Sequence, residues 1–168
     1  PVLGTVEVGE RGGGHEVERG DEGALDRIVS LTQGYPYFVQ EWGYHTWNYA
    51  NHSPITESDV DGASPAALRA LDESFFRVRL DRLTPRERDY LRAMAEMGGG
   101  PHRSGDVAAL LGISVTSAGP LRAGLIGKGM IYSPAHGDTA FTVPLFDEFM
   151  RRTIPDPPAR ARRAATRE

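Results

Sequence analysis

TPRERDYLRAMAEMGGGPHRSGDVAALLGISVTSAGPLRAGLIGKGMIYSPAHGDTAFTV (residues 84–143) is the stretch that decides the fold. Thr84-Pro85-Arg86-Glu87 is a capping box with proline at the first helical position. The hydroxyl satisfies an orphan N–H while the carboxylate reaches back to the cap. It predicts a helix over 84–97 that buries Tyr90, Leu91, Met94 and Met97, stopped by Gly98-Gly99-Gly100-Pro101. Ser104 reads as the cap of a second helix, 105–111, with Val107, Leu110 and Leu111 inward and Gly112 ending it in a tight turn. Ser114 reads as the cap of a third, 115–128, carrying Leu121, Leu125 and Ile126. Two alternating apolar runs, 130–133 and 140–143, flank Pro134-Ala135-His136-Gly137-Asp138, a hairpin signature. A last helix is predicted over 144–152.

Three helices, the second pair joined by a short glycine turn, followed by a hairpin, spell a winged helix-turn-helix over 83–153. Upstream, 23–82 reads as helical. Leu25, Ile28, Val29 and Leu31 recur at helical spacing over 24–32; Gly34 stops that helix and Pro36 starts the next, roughly 36–51. Along this aromatic helix Phe38, Trp42 and Tyr49, with Val39 and His45 or Thr46, fall near one stripe and are assigned to the core. Thr56-Glu57-Ser58-Asp59 is an acidic capping box opening a short helix, 57–62. Ser64-Pro65 reads as the start of another, 65–81, whose apolar positions Leu68, Leu71, Phe75, Phe76 and Val78 follow the 3.6 period. The expected class is therefore mainly α: a helical subdomain, then a winged helix-turn-helix with a small β-hairpin. Residues 1–22 read as a loose lead-in with one short strand at 4–8, and 154–168 as a disordered basic tail.

Charge is uneven along the chain. The net value is −4, but residues 1–83 carry 7 arginines against 14 acids, while 84–153 are close to neutral and 154–168 slightly basic. An acidic front half is a poor nucleic-acid surface; the back half permits DNA contact without requiring it. There is no cysteine, which excludes disulfides, thiolate zinc sites and a cysteine nucleophile, and suits a reducing cytoplasm, the expected location. No apolar run approaches the eighteen or so residues needed to cross a bilayer, so no membrane partner is expected.

Residues 34–47 (GYPYFVQEWGYHTW), 71–98 (LDESFFRVRLDRLTPRERDYLRAMAEMG) and 141–152 (FTVPLFDEFMRR) together resemble the C-terminal region of bacterial and archaeal AAA+/STAND-type ATPases, relatives of the origin-recognition ATPases. The resemblance covers about residues 23–153. It implies a lid that closes over a nucleotide, followed by a winged helix, in a chain that is the C-terminal piece of a P-loop ATPase whose catalytic domain is missing. Gly34-x-Pro36 matches the motif that in STAND relatives sets a proline against adenine or ribose. The departures are equally specific. A phosphate-gripping G-x-x-x-x-G-K-[ST] loop is absent, and so is an apolar run ending in paired acids. Gly124-Leu125-Ile126-Gly127-Lys128-Gly129 has the wrong glycine spacing and lacks the metal-binding hydroxyl. The lid arginine of many AAA+ proteins is replaced by Tyr35 and Tyr37. No catalytic residue is assigned, this chain alone is not expected to be an enzyme, and ATP and magnesium enter only with the missing ATPase domain.

The candidate sites are accordingly few. Gly34 and Pro36 are nucleotide-proximal by resemblance, although for this chain alone a helix stop followed by a helix start is the favoured explanation. For duplex DNA the candidates are Ser114, Thr116, Ser117, Arg122 and Lys128 on the third helix, Arg103 before the second, and His136 on the wing. Tyr35, Tyr37, Trp42 and Trp47 admit base stacking, but helical spacing favours packing. The five histidines lack a metal-ligand pattern, so no metal is assigned. The leading reading is a regulatory module contacting DNA or a protein partner. A stand-alone winged-helix regulator that self-associates through its helical half, and a protein-interaction module without a nucleic-acid role, stay open.

Overall fold

The computed structural model describes residues 22–155. The short strand at 4–8, His15 and the arginines of the tail from 160 onward lie outside them. The chain is mainly helical with a small three-stranded antiparallel sheet. Helices α1 (Glu22–Thr32) and α2 (Pro36–Tyr49) are joined at Gly34, whose φ of 69° is the left-handed conformation glycine adopts without steric cost. The capping box at Thr56 starts α3 (Glu57–Leu71), with Thr56 N–H donating to Asp59 Oδ2 at 2.8 Å.

Two expectations about this region are corrected. Ser64-Pro65 does not begin a helix: Pro65 lies inside a continuous α3. Ser64 Oγ instead donates to the Val60 carbonyl at 2.8 Å and accepts from Trp42 Nε1 at 2.9 Å, tying α3 to α2. Nor does one 3.6 period run through 65–81. A π-helical turn, Asp72–Phe76, separates α3 from α4 (Arg77–Asp81). Its extra residue rotates the inward face, so the buried series is Val60, Ala63, Ala67, Leu71, Phe76 and Leu80, while Val78 is left 56% exposed. Phe75 is only half-buried and carries the Arg79 guanidinium 3.5 Å above its ring.

The aromatic stripe of α2 is also narrower than expected. Phe38, Trp42 and Thr46 are buried, whereas Tyr44, Trp47 and Tyr49 are more than half exposed. Tyr49 lies against Gly62, where any side chain would collide with its ring.

The capping box at Thr84 starts α5 (Pro85–Glu96), which is followed by β1 (His102–Arg103), α6 (Ser104–Leu111) and α7 (Val115–Gly127). Gly112, at φ 63°, turns α6 into α7 through 112°. Strands β2 (Ile131–Tyr132) and β3 (Asp138–Phe141) form the hairpin, and α8 (Phe146–Thr153) closes the described chain. The sheet order is β1-β3-β2. Strand β1 was not anticipated, because two residues carry no periodicity; His102 opposite Thr139 and Arg103 opposite Asp138 define it. Ser104 is the first residue of α6 and not its side-chain cap: its hydroxyl donates to the Gly137 carbonyl at 2.9 Å, fastening the helix to the hairpin turn. Ile126 is over a third exposed and Met97 half-buried, so both lie at the margin of the core.

One hydrophobic cluster runs from Ala24 to Met150. Phe76 is its hinge point: its ring stacks on Phe149 at 5.1 Å and meets Phe38 and Phe146 edge-on at 5.5 and 5.7 Å. Such pairs add about 0.5–1.5 kcal/mol each beyond area burial. The Arg152–Asp72 ion pair at 2.8 Å flanks the same junction. Among the described residues no single helix is long and apolar enough to cross a membrane.

Candidate functional site

Two concavities collect four of the candidates, Gly34 and Pro36 in one and Arg122 and His136 in the other. The larger, about 680 Å³, opens between the α1–α2 corner and the sheet end of the second half. Gly34 and Pro36 line one wall. The opposite wall comes from Gly99–Pro101, Tyr132 and the loop between β3 and α8. Its lining mixes glycine and proline with polar, aromatic and apolar side chains, and Asp147 is its charged group. That carboxylate is largely buried and held by Arg151 Nη2 at 3.0 Å, so it is already neutralised. Pro36 needs no N–H at the first position of α2, and the left-handed Gly34 presents it at the rim. The residues facing this corner were not legible in sequence, because they lie more than sixty positions away and meet it only through packing.

The second concavity, about 410 Å³, lies between the first half of α7 and the hairpin turn. Arg122 and His136 both line it. Arg122 Nη2 donates to the Asp138 carbonyl at 3.1 Å, while its Nε is buried without an acceptor. Thr116 and Ser117 are exposed on α7, and Ser114 is committed to the cap, accepting from Ser117 N–H at 3.1 Å. Arg103 is three-quarters exposed on β1, with Asp138 Oδ1 3.5 Å from its Nε.

Lys128 is not with the others. It sits past the far end of α7, where its ammonium donates to Glu87 Oε2 at 2.7 Å and to the Arg82 carbonyl at 3.1 Å. Burial pushes the Glu87 carboxyl up, but the bonds from Lys128 and Thr84 outweigh it and hold it below the ordinary value.

Sequence reading also missed Tyr90, which forms the floor of this concavity beside Ser104. Burial pushes its phenol up, so it stays neutral. A tyrosine at a core position in a period gives no sign of the polar work its hydroxyl can do. The histidines do find acids, His45 near Glu41 at 3.8 Å and His52 near Asp59 at 3.6 Å, but only in pairs. Among the described residues no three potential ligands gather around a metal position.

Residues 73–150, from the π-turn through most of α8, match the family model of a domain of unknown function, DUF8462. No curated protein and no solved structure matches the chain.

Proposed function

We propose that residues 22–153 are the lid and winged-helix module of a larger ATP-binding protein, transmitting nucleotide state to a partner-binding surface. The observation that carries this reading is the shared cleft. Gly34 and Pro36 line it together with the loop between β3 and α8, so a group lodged against Pro36 touches both halves. A purine ring there would couple the α1–α2 corner to the second half by contact, the kind of differential interaction that a conformational relay needs. The chain supplies position and shape; the phosphate grip belongs to a P-loop outside it.

The winged-helix reading draws support from the order α5-β1-α6-α7-β2-β3, the β1-β3-β2 sheet, and the 112° turn between α6 and α7. For its partner, the engagement of Lys128 weighs toward protein. Its charge is paired with Glu87, and the exposed start of α7 offers Val115, Thr116 and Ser117. Duplex DNA is the second reading, favoured by the helix-turn-helix angle and by the exposed Arg103.

The ATPase part is tested by reading the open reading frame upstream of residue 1. A G-x-x-x-x-G-K-[ST] loop between a strand and a helix is expected, and its absence over a few hundred codons defeats the reading. The DNA part is tested by electrophoretic shift with random duplex at low and high salt. A salt-sensitive shift weakened by Arg103→Ala selects DNA; no shift at low salt leaves the protein partner.

A further inference from the structure

The concavity between α7 and the hairpin has two unlike ends. Val115, Ala118 and Gly119 make one wall apolar and open. At the other end stand Arg122, Ser104 and His136 above the Tyr90 ring. Arg122 is a charge without a counter-charge: among the described residues its one hydrogen bond goes to a backbone carbonyl, no carboxylate pairs with it, and its buried Nε has no acceptor. Tyr90 is fully buried and its hydroxyl makes no hydrogen bond of normal geometry, although Ser104, Thr139 and the Arg122 charge are its polar surroundings. Both donors belong to side chains that line the cavity but are themselves closed to solvent, so an acceptor reaches them once those side chains turn toward it.

We propose that this cavity binds a small organic acid, its carboxylate on Arg122 and its apolar body along Val115, Ala118 and Gly119. The volume lies within the range of small-molecule sites. A planar carboxylate matches the guanidinium fork. Arg122 is the only lysine or arginine among the lining residues, so a single negative charge is balanced and a dianionic phosphate is not. The bound acid would bridge α7 to the hairpin turn, fixing the angle between them. The inference does not depend on the ATPase reading, because no residue of the Gly34–Pro36 cleft takes part.

The test titrates the 168-residue chain with sodium benzoate, following the Arg122 side-chain Nε–H by NMR and the melting temperature in parallel. Inorganic phosphate and random duplex DNA are run alongside. Two variants carry the argument: Arg122→Met removes the charge, and Gly119→Leu fills the cavity from a helical position whose added Cβ would meet no atom within 4 Å. Saturable benzoate binding is expected, weakened about tenfold or more in each folded variant. Absence of saturable binding in the wild type overturns the proposal, as does binding that Gly119→Leu retains in full. A shift of the Arg122 resonance by duplex DNA but not by benzoate also overturns it and assigns the cleft to a phosphodiester.

Discussion

Lys128, just past α7, and Glu87, in the first turn of α5, form an ion pair of 2.7 Å that locks the end of one helix onto the cap of another. Glu87 serves twice, accepting from Thr84 N–H at 2.8 Å as the capping-box acid and from Lys128 as its counter-ion. The pair is sheltered on the Glu87 side and partly open on the Lys128 side. Its removal by Lys128→Met is expected to cost about 2 kcal/mol, between the exposed and buried extremes. Urea denaturation at neutral pH reads this directly, and a loss under about 0.5 kcal/mol would mean that the pair is only a surface contact.

The same carboxylate gives a pH dependence. With a folded-state pKa below the ordinary value, Glu87 contributes stability that is fully present above the unfolded pKa of about 4.3. That contribution is lost as pH falls through the folded value. Asp59 behaves alike, lowered by the backbone and side-chain bonds of Thr56. Stability is therefore expected to fall with acidification below about pH 4.3, less steeply in Lys128→Met and not flat, because Asp59 still titrates. An unchanged acid slope in the variant would remove Lys128 as a cause of the Glu87 shift.

Phe76 and Val78 test the rotation made by the π-turn. Phe76 is fully buried between the two halves and Val78 is exposed, although a straight α-helical continuation from Leu71 would turn Phe75 and Val78 inward and Phe76 outward. Phe76→Ala is expected to cost about 3–5 kcal/mol and Val78→Ala under about 0.5 kcal/mol. A larger loss from Val78→Ala than from Phe76→Ala, measured by chemical denaturation, would restore a straight α-helical register.

Deleting Ser74 probes the same feature by another route. This exposed residue lies in the π-turn, where its hydroxyl donates to the Ala70 carbonyl at 2.6 Å. Without it Leu71 and Phe76 stand four positions apart, the α-helical spacing, so both can stay inward. A cooperative unfolding transition should persist; its loss would show that the extra residue is required for the junction itself.

Gly34→Ala isolates a backbone effect. An added Cβ meets no atom within 4 Å, so the cost is that of the left-handed conformation, about 1–2 kcal/mol, with Gly34→Asn less affected. Equal destabilisation by alanine and asparagine would point to a steric cause instead.

The capping boxes at Thr56 and Thr84, the glycine turn at Gly112 and the hairpin around Gly137 were legible because each is local: neighbouring residues satisfy one another's backbone groups. Pro65 misled for the same reason. Ser-Pro is a good helix start, but packing of Val60, Ala63 and Ala67 against the core carries α3 through it, and Ser64 is used to hold Trp42. The candidate residues fared by position. Arg122 and His136 meet at one cavity because the hairpin folds back on α7, whereas Lys128, six residues after Arg122 in sequence, faces a different helix. No spacing rule separates those two fates.

Local grammar, then, determined by itself where most helices begin and end, since caps, prolines and left-handed glycines act within a few residues. Only the tertiary structure decided which faces turn inward after the π-turn, which cations are spent on internal partners, and which distant segments enclose Gly34 and Pro36. Those depend on contacts between residues far apart in the chain, whose free energy exists only once the elements are packed.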